Sequence, residues 1–219
     1  MSAKETTSRA PARLGRPPRG SEGDATLRIL AAAKPIFLSK GYEAASIDAI
    51  AGSAGISKKT IYARFATKED LFEAVIVRFI EENVPCVERA ASEPGPVAER
   101  LHRIALTLLE VGLTVDAIAV RRIIVAEAAR FPEFARLLHD FGYARVVPLV
   151  ERCLEDGRAS GEIAVGDIRQ AGDLFLGITV RGFIERAELG LDRPGLSHVK
   201  RETLKNAIAF FTSACRKDG

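Results

Sequence analysis

Apolar residues recur with a helical period through almost the whole chain from residue 24 onward. In the first stretch Ile29, Ala33 and Phe37 fall on one face, which predicts an amphipathic helix. We expect Asp24 to cap its start and Lys40-Gly41 to end it. Later helices are predicted at about 96–112, 116–130, 132–156, 167–189 and 197–216. No stretch keeps the period of two that strands require, so the pattern predicts an all-α chain.

Two short amphipathic segments follow the first helix, between residues 46 and 65. Ser46 is placed to cap the first, and Gly55 breaks it. Ser57 is placed to cap the second, in which Ile61 and Phe65 form a buried pair. Two helices of about two turns joined by a tight turn with a glycine are the layout of a helix-turn-helix.

Four prolines and a capping pattern set the remaining boundaries of the first part of the chain. Thr67 and Asp70 have the spacing of a capping box, so a further helix begins there. We expect Pro85 to end or bend this helix after about Asn83. Pro35 should kink or shorten the first helix. The clearest break is 92–96, Ser-Glu-Pro-Gly-Pro.

Composition and charge narrow the class of protein. The chain has 219 residues, 47% apolar and 28% charged, which is typical of one large or two small globular domains. Residues 1–72 hold 12 Lys and Arg against 7 Asp and Glu, a net +5, and residues 73–219 carry a net −2. A basic N-terminal part followed by a mildly acidic remainder indicates that the N-terminal part binds a polyanion.

Residues 1–23 lack any apolar period and are predicted to form a disordered basic arm. Arg16 and Arg19 of this arm are candidate DNA contacts, because flexible basic arms enter the minor groove. The alternative is a tail that only improves solubility.

The sequence offers little for catalysis, metals or membranes. Cys86, Cys153 and Cys215 are too far apart for a disulfide framework or a metal-ligand cluster. The three histidines have no motif around them, and no phosphate-binding glycine loop occurs. We therefore expect no enzyme, no catalytic residue, no metal and no cofactor. The apolar runs are short and no leader pattern opens the chain, so we expect a cytoplasmic protein without membrane contact.

The second short helix carries the side chains best suited to DNA. Ile61 and Phe65 fix its buried side, which leaves Lys58, Lys59 and Thr60 facing outward, residue types that bind base edges or phosphates in a major groove. Further phosphate contacts are expected from Ser46, Ser57, Tyr62 and Lys68.

In order and spacing, these segments resemble the N-terminal domain of the tetracycline-repressor (TetR) family from about Asp24 to Val84. The residues that carry the resemblance are Ile29 to Ala33, Phe37, Lys40-Gly41-Tyr42, Ser46-Ile47, Ile50-Ala51, Ala54 to Ser57, Thr60-Ile61-Tyr62, Phe65 and Lys68 to Leu71. Lys59 departs from the family, where a small residue is common before the threonine. Pro85 departs as well, in the helix that should link the head to the body.

The resemblance implies a three-helix head at 24–84, with its helix-turn-helix at 46–65, on a helical body at 85–219. It implies a homodimer on a palindromic operator of double-stranded DNA, from which a small-molecule effector releases it. The last two long helices should pair with their copies, although ordinary packing within one chain remains an alternative for each residue. The candidate effector contacts in the body are Arg121, Phe134, His139, Phe141, Tyr143 and Phe175.

Two other functions remain open on the same fold. The three cysteines could make the protein a thiol-based redox sensor. A constitutive DNA-binding protein is the other alternative, although the mildly acidic body would attract little DNA.

Overall fold

The computed structural model describes residues 21–215, which fold into eleven α-helices and two π-helical segments without a strand. The first four helices are α1 Ser21–Ala44, α2 Ile47–Ala54, α3 Lys58–Tyr62 and α4 Lys68–Ser92. The others are α5 Val97–Gly112, α6 Val115–Glu127, α7 Pro132–Leu137, α8 Ala144–Ser160, α9 Ile168–Leu176, α10 Gly182–Glu188 and α11 His198–Ala214. The π-helical segments Leu138–Tyr143 and Gly177–Arg181 join α7 to α8 and α9 to α10. The predicted all-α class is confirmed.

Helix α1 begins earlier than its sequence predicts and is broken at Gly41, where its end is expected, before it continues to Ala44. Gly41 leaves helical geometry at a φ of +79°, the left-handed region that glycine tolerates best. The helix already includes Ser21, so the expected cap Asp24 lies inside it. Pro35 does not shorten α1, because it lies on the exposed face of the helix.

Helix α4 continues through Pro85 to Ser92, so the predicted end near Asn83 is wrong. A proline inside a helix removes one amide donor and leaves the carbonyl four residues earlier without its partner. Here Pro85 and Glu81 are both exposed, so water can bond that carbonyl. The result is one helix of 25 residues that begins in the head and ends in the body.

Each of two helices predicted as continuous contains a π-helical segment, at 138–143 and at 177–181. Helix α8 also runs to Ser160 and ends at Gly161, so the predicted loop at 157–166 is shorter than expected. Gly157 is buried inside α8, where an added Cβ would lie 2.2 Å from Cγ2 of Val97. The glycine therefore allows α8 to approach α5 closely.

Two hydrophobic clusters hold the helices together, and along α4 the first includes Val84 and the second includes Val87. The first cluster contains residues of α1 to α4 but also Val120, Ile123 and Ile124 of α6 and Phe134 of α7. The second is built mainly from α5, α8, α9 and α11. The head thus rests on α6 and α7 of the body, and α4 contributes to both clusters.

Within residues 21–215, no helix combines the length and the apolar character that crossing a membrane requires.

Candidate nucleic-acid interface and ligand cavity

Helix α2 and the turn after it are fixed by local hydrogen bonds. Ser46 accepts a hydrogen bond from the backbone N–H of Ala49 at 3.2 Å and so caps α2. Gly55 adopts a left-handed φ of +64°, and the guanidinium of Arg28 in α1 donates to the carbonyl of Ala54 at 2.7 Å. Ile50 is fully buried. These contacts fix where the chain turns into α3.

Helix α3 presents a polar face outward from a single buried anchor. Ile61 is fully buried, whereas Tyr62 is half exposed. The hydroxyl of Ser57 accepts from the N–H of Thr60 at 3.1 Å and lies 2.9 Å from the Thr60 hydroxyl. The two hydroxyls therefore form one polar group at the start of the helix.

The two adjacent lysines of α3 lie in different environments. Lys58 Nζ lies 2.6 Å from Asp48 Oδ1 of α2, and this hydrogen bond raises the pKa of Lys58. Lys59 is exposed and has no acidic partner among the described residues. Lys59 is thus the cation of α3 that is free to meet an external anion.

Lys68 lies at the start of α4, where it contacts the junction between head and body. Its Nζ donates to the carbonyl of Glu43 at 3.0 Å and lies 4.4 Å from the ring centroid of Tyr42. Tyr42 in turn packs on Phe131 and Phe134 with ring centroids 5.2 and 5.4 Å away. An ammonium has three donors, so the contact with Glu43 leaves donors for a phosphate.

The body contains a cavity of about 580 Å³ between α4, α5, α6, α8 and the segment 176–188. Most of its lining is apolar, with Phe79, Val84, Leu108, Val120 and Leu176 among its residues. A volume of this size falls within the range of about 300–1,000 Å³ that is usual for small-molecule sites.

Asn83, His139 and Glu185 line the cavity, which also has two sets of polar side chains that bond one another. In one, Arg121 of α6 forms an ion pair with Glu188 of α10. In the other, Arg181 donates to the hydroxyl of Tyr143 at 3.3 Å, and that hydroxyl donates to Asp173 at 2.8 Å. Burial, followed by the bond to Asp173, raises the pKa of Tyr143, so its hydroxyl stays protonated at neutral pH.

Comparison with family models decides what kind of protein this is. Residues 29–75 match the model of bacterial regulatory proteins of the tetR family, and residues 99–216 match the C-terminal domain of AefR-like transcriptional repressors. The second match alone covers more than half of the chain.

The chain belongs to the TetR family of transcriptional regulators.

Individual relatives agree with this assignment. The HTH-type transcriptional regulator UidR of Escherichia coli K12 is 32% identical over 141 residues, which cover 63% of this chain and 68% of UidR. The structure of the flavonoid-responsive regulator FrrA is 30% identical and superimposes with a TM-score of 0.70, over 90% of this chain and all of FrrA. A TetR-family structure from Mesorhizobium loti shares the fold with a TM-score of 0.80, at 24% identity, over 90% of this chain and 98% of that one. This TetR-family protein is accordingly a DNA-binding transcriptional regulator, and its relatives are regulators rather than enzymes.

The structure brings together most of the candidate DNA contacts of this TetR-family regulator. Ser57, Lys58, Lys59, Thr60 and Tyr62 lie on or beside α3, and Ser46 caps the neighbouring α2. Lys68 lies one turn further along the chain, at the start of α4. Arg16 and Arg19 lie outside the described residues.

The candidate effector contacts divide into two groups. Arg121, His139 and Tyr143 line the cavity of the regulator. Three aromatic candidates do not, which corrects the expectation: Phe134 is buried in the head cluster, Phe175 packs on Phe211 in the body core, and Phe141 is exposed. Aromatic residues are as useful in a core as in a cavity, and sequence position alone does not separate the two.

Sequence reasoning missed the contribution of α4 to this cavity. Phe79, Ile80, Asn83, Val84 and Val87 all line it. Four of these residues precede Pro85 and only Val87 follows it, so the apolar period of the predicted helix was the available signal. That period does not separate residues that line a cavity from residues that pack in a core. Arg181 and Glu188 were also missed, because charged residues on a long helix resemble a solvated face.

Proposed function

We propose that this regulator is a homodimeric repressor that binds a palindromic operator and leaves it when a small molecule enters the body cavity. The observation that carries the proposal is the position of α6, which lines the cavity and also packs against the head. Val120 lines the cavity and belongs to the head cluster. One helix therefore joins a ligand site to a DNA-binding unit.

For DNA recognition, α3 enters the major groove. Lys59 and Thr60 contact base edges, with Lys58 beside them, and this gives sequence dependence. Ser46, Ser57, Tyr62 and Lys68 contact phosphates, which gives affinity without sequence information. Arg16 and Arg19 add contacts from the N-terminal arm.

For dimerisation, the last helices supply the contact surface. Leu174 of α9 is 58% exposed and Phe210 of α11 is 70% exposed, and Ile178 between α9 and α10 is also exposed. Large apolar side chains on one protomer are favourable when a second copy covers them. Gly177 and Gly182 have open space at their Cβ positions, which leaves room for a close approach of a second helix.

For signal transmission, α6 is held at both sides by polar contacts. Asp116 pairs with Lys34 of α1 at 2.8 Å. On the other side, Arg122 donates to the carbonyls of Ala187 and Glu188, each at 2.8 Å, and Arg121 pairs with Glu188. A ligand that displaces α6 changes its contacts with both α10 and α1.

The coupling is a shift between two populations of the dimer. One population spaces the two α3 helices for half-sites about one turn of DNA apart, roughly 34–36 Å. The ligand binds the other population more tightly, and that difference in affinity, typically about 1–3 kcal/mol, lowers the affinity for the operator. The relative FrrA is named as flavonoid-responsive, which supports a small organic effector here as well.

A binding selection of the purified protein on random duplex DNA tests this function. We expect the selection to enrich a palindromic motif, which a dimer binds. Enrichment of no motif, with affinity that falls steeply as salt rises, would instead support a constitutive and nonspecific DNA-binding protein.

The redox alternative has less support from the environment of the cysteines. Cys153 is fully buried, and burial raises its pKa to about 11. Burial raises the pKa of Cys215 too. Thiols, unlike thiolates, react slowly with oxidants. We expect mild hydrogen peroxide to leave operator affinity unchanged, and a loss that thiol reductant reverses would favour a redox sensor, with half-buried Cys86 as the first residue to replace.

A further inference from the structure

Arg121 brings a guanidinium with unused donors to an apolar cavity. Its Nε donates to Glu188. Its two Nη groups have no hydrogen-bond acceptor among the described residues, and neither group is fully buried. Four N–H donors of this side chain are thus open to the cavity that Arg121 lines or to the solvent beside it.

The other charged groups of the cavity do not compete for this position. The guanidinium of Arg181 is exposed and shares the hydroxyl of Tyr143 with Asp173. His139 is exposed and faces Asp140 at 2.9 Å. Glu185 is exposed too, whereas the side chain of Glu188 is only 17% exposed and already bonds Arg121. A cationic ligand would therefore have to compete with Arg121 for the carboxylate of Glu188. An anionic ligand can bind the free Nη groups of Arg121.

A guanidinium edge suits a carboxylate or a phosphate, but a phosphate would leave a further oxygen without a partner among apolar side chains. Two parallel N–H groups match the two oxygens of a carboxylate, and the bond is strong where little water competes. The lining around Arg121 includes Ala117, Val120 and Ile184, none of which can bond a second polar group on the ligand with its side chain.

We propose that the effector is an apolar monocarboxylate whose carboxylate binds the Nη edge of Arg121 and whose hydrocarbon part fills the cavity. This proposal rests on the function proposed above and names the class of its effector. Two carboxylates then face one guanidinium, and their repulsion weakens the pair between Arg121 and Glu188. That pair joins α6 to α10, so binding loosens α6 at the same contact that recognises the ligand.

Calorimetric titration of the full-length protein, without DNA, tests the proposal. Three probes of equal chain length separate the charges: decanoate, 1-decanol and decylammonium, each below its micelle concentration. We expect decanoate to bind about tenfold more tightly than either of the others, as suits a charge-assisted bond in an apolar site. In Arg121→Gln we expect the preference for decanoate to vanish while 1-decanol still binds.

Glu188→Gln separates this proposal from a merely structural ion pair. It removes the competing carboxylate and keeps the shape of the side chain, so decanoate should bind several-fold more tightly and 1-decanol should be unaffected. Arg152→Gln, which removes an exposed arginine of α8 that does not line the cavity, is the matched control and should leave the preference intact. Thermal unfolding of each variant establishes that it is folded.

Several results would overturn the proposal. One is equal or tighter binding of 1-decanol or decylammonium, and another is weaker binding of decanoate by Glu188→Gln. Binding of none of the three probes would also overturn it. In each case the selection on random DNA reports separately whether the protein is a sequence-specific regulator, so the two failures are distinguishable.

Discussion

Lys58 and Lys59 are adjacent and chemically identical, yet they lie in different surroundings. Lys58 is neutralised by Asp48 at 2.6 Å, whereas Lys59 is exposed and unpaired among the described residues. Before Lys58 can bind a DNA phosphate, its salt bridge with Asp48 must be broken or shared. The unpaired ammonium of Lys59 needs to lose only water and counterions. Lys59 is therefore expected to contribute more to DNA binding than Lys58.

The first prediction concerns Lys59→Ala. The free energy of binding to the operator should weaken by about 1–3 kcal/mol. The loss on random DNA should be smaller, because the proposed contacts of Lys59 include base edges as well as phosphates. Lys58→Ala should cost less than Lys59→Ala. Fluorescence anisotropy with the motif from the selection and with a scrambled duplex measures both.

Arg152→Ala is the matched control, since it removes an exposed positive charge from α8 in the body. It should leave operator affinity within error. Equal losses on operator and scrambled DNA for Lys59→Ala would contradict a contact with bases and leave only a phosphate contact.

The second prediction concerns Gly157→Ala at the contact of α8 with α5. The added methyl would lie 2.2 Å from Val97 Cγ2 and 3.2 Å from Ile163 Cγ1, and buried overpacking of this kind costs about 1–3 kcal/mol. The free energy of unfolding in urea should fall accordingly. In the Val97→Ala background, which removes the methyl in the way, the same substitution should cost much less.

Gly52→Ala serves as the control for helix propensity, because nothing lies within 4 Å of a Cβ at this position of α2. It should stabilise the protein slightly. A Gly157→Ala variant as stable as the parent would show that α8 and α5 can separate without cost.

At the scale of elements, α3 depends on its neighbours for its existence. It has five residues, too few for a helix that is stable alone. Ser57 caps its start, Ile61 anchors it in the head core, and Asp48 holds Lys58 from α2. The position of α3, the proposed recognition helix, thus depends on its cap, on the head core and on α2 rather than on its own propensity.

The third prediction concerns the cap of α4. Thr67 accepts from the N–H of Asp70 at 3.0 Å, and Asp70 accepts from the N–H of Thr67 at 3.0 Å, so the pair forms a full capping box. Thr67→Ala should lower the free energy of unfolding by about 0.5–2 kcal/mol.

Thr67→Ser keeps the hydroxyl and should retain nearly all of the stability. Denaturant titration of the parent, Thr67→Ala and Thr67→Ser measures the free energy of unfolding of each. If Thr67→Ser lost as much as Thr67→Ala, the methyl group rather than the cap would be the stabilising feature.

At the scale of the whole molecule, the exposed apolar residues of the last helices matter most. Phe210 is 70% exposed. A phenyl ring that stays in water is unfavourable, whereas its burial by a second copy is favourable. In the proposed dimer each protomer offers one α3, so recognition of two half-sites would require the dimer to form.

The fourth prediction therefore concerns Phe210→Glu. A charge at a buried interface should shift the protein to monomers in sedimentation velocity runs, and operator affinity should fall by about 100-fold as the second half-site is lost. Val125→Glu is the control, because Val125 is 66% exposed and lies on α6, which is not part of the proposed contact surface. A Phe210→Glu protein that still sediments as a dimer would place the interface elsewhere.

The sequence by itself determined the helical class, the helix-turn-helix and most of the caps. These features depend on the period of apolar residues and on short-range bonds, such as Ser46 with Ala49 and Thr67 with Asp70, which neighbouring residues encode. The order of the motifs in the head likewise predicted the family that the family models then showed.

Only the tertiary structure decided which residues of the body meet. Pro85 leaves α4 continuous because it faces water, and this adds Val87 to a cavity wall that α4 already forms before the proline. Phe134 and Tyr143 are both aromatic and nine residues apart, yet one lies in the head core and the other lines the cavity. Arg121 and Glu188 are 67 residues apart and meet because α6 and α10 pack together. Contacts between distant residues depend on how whole helices pack, and the periodicity of a single helix carries no information about its partner.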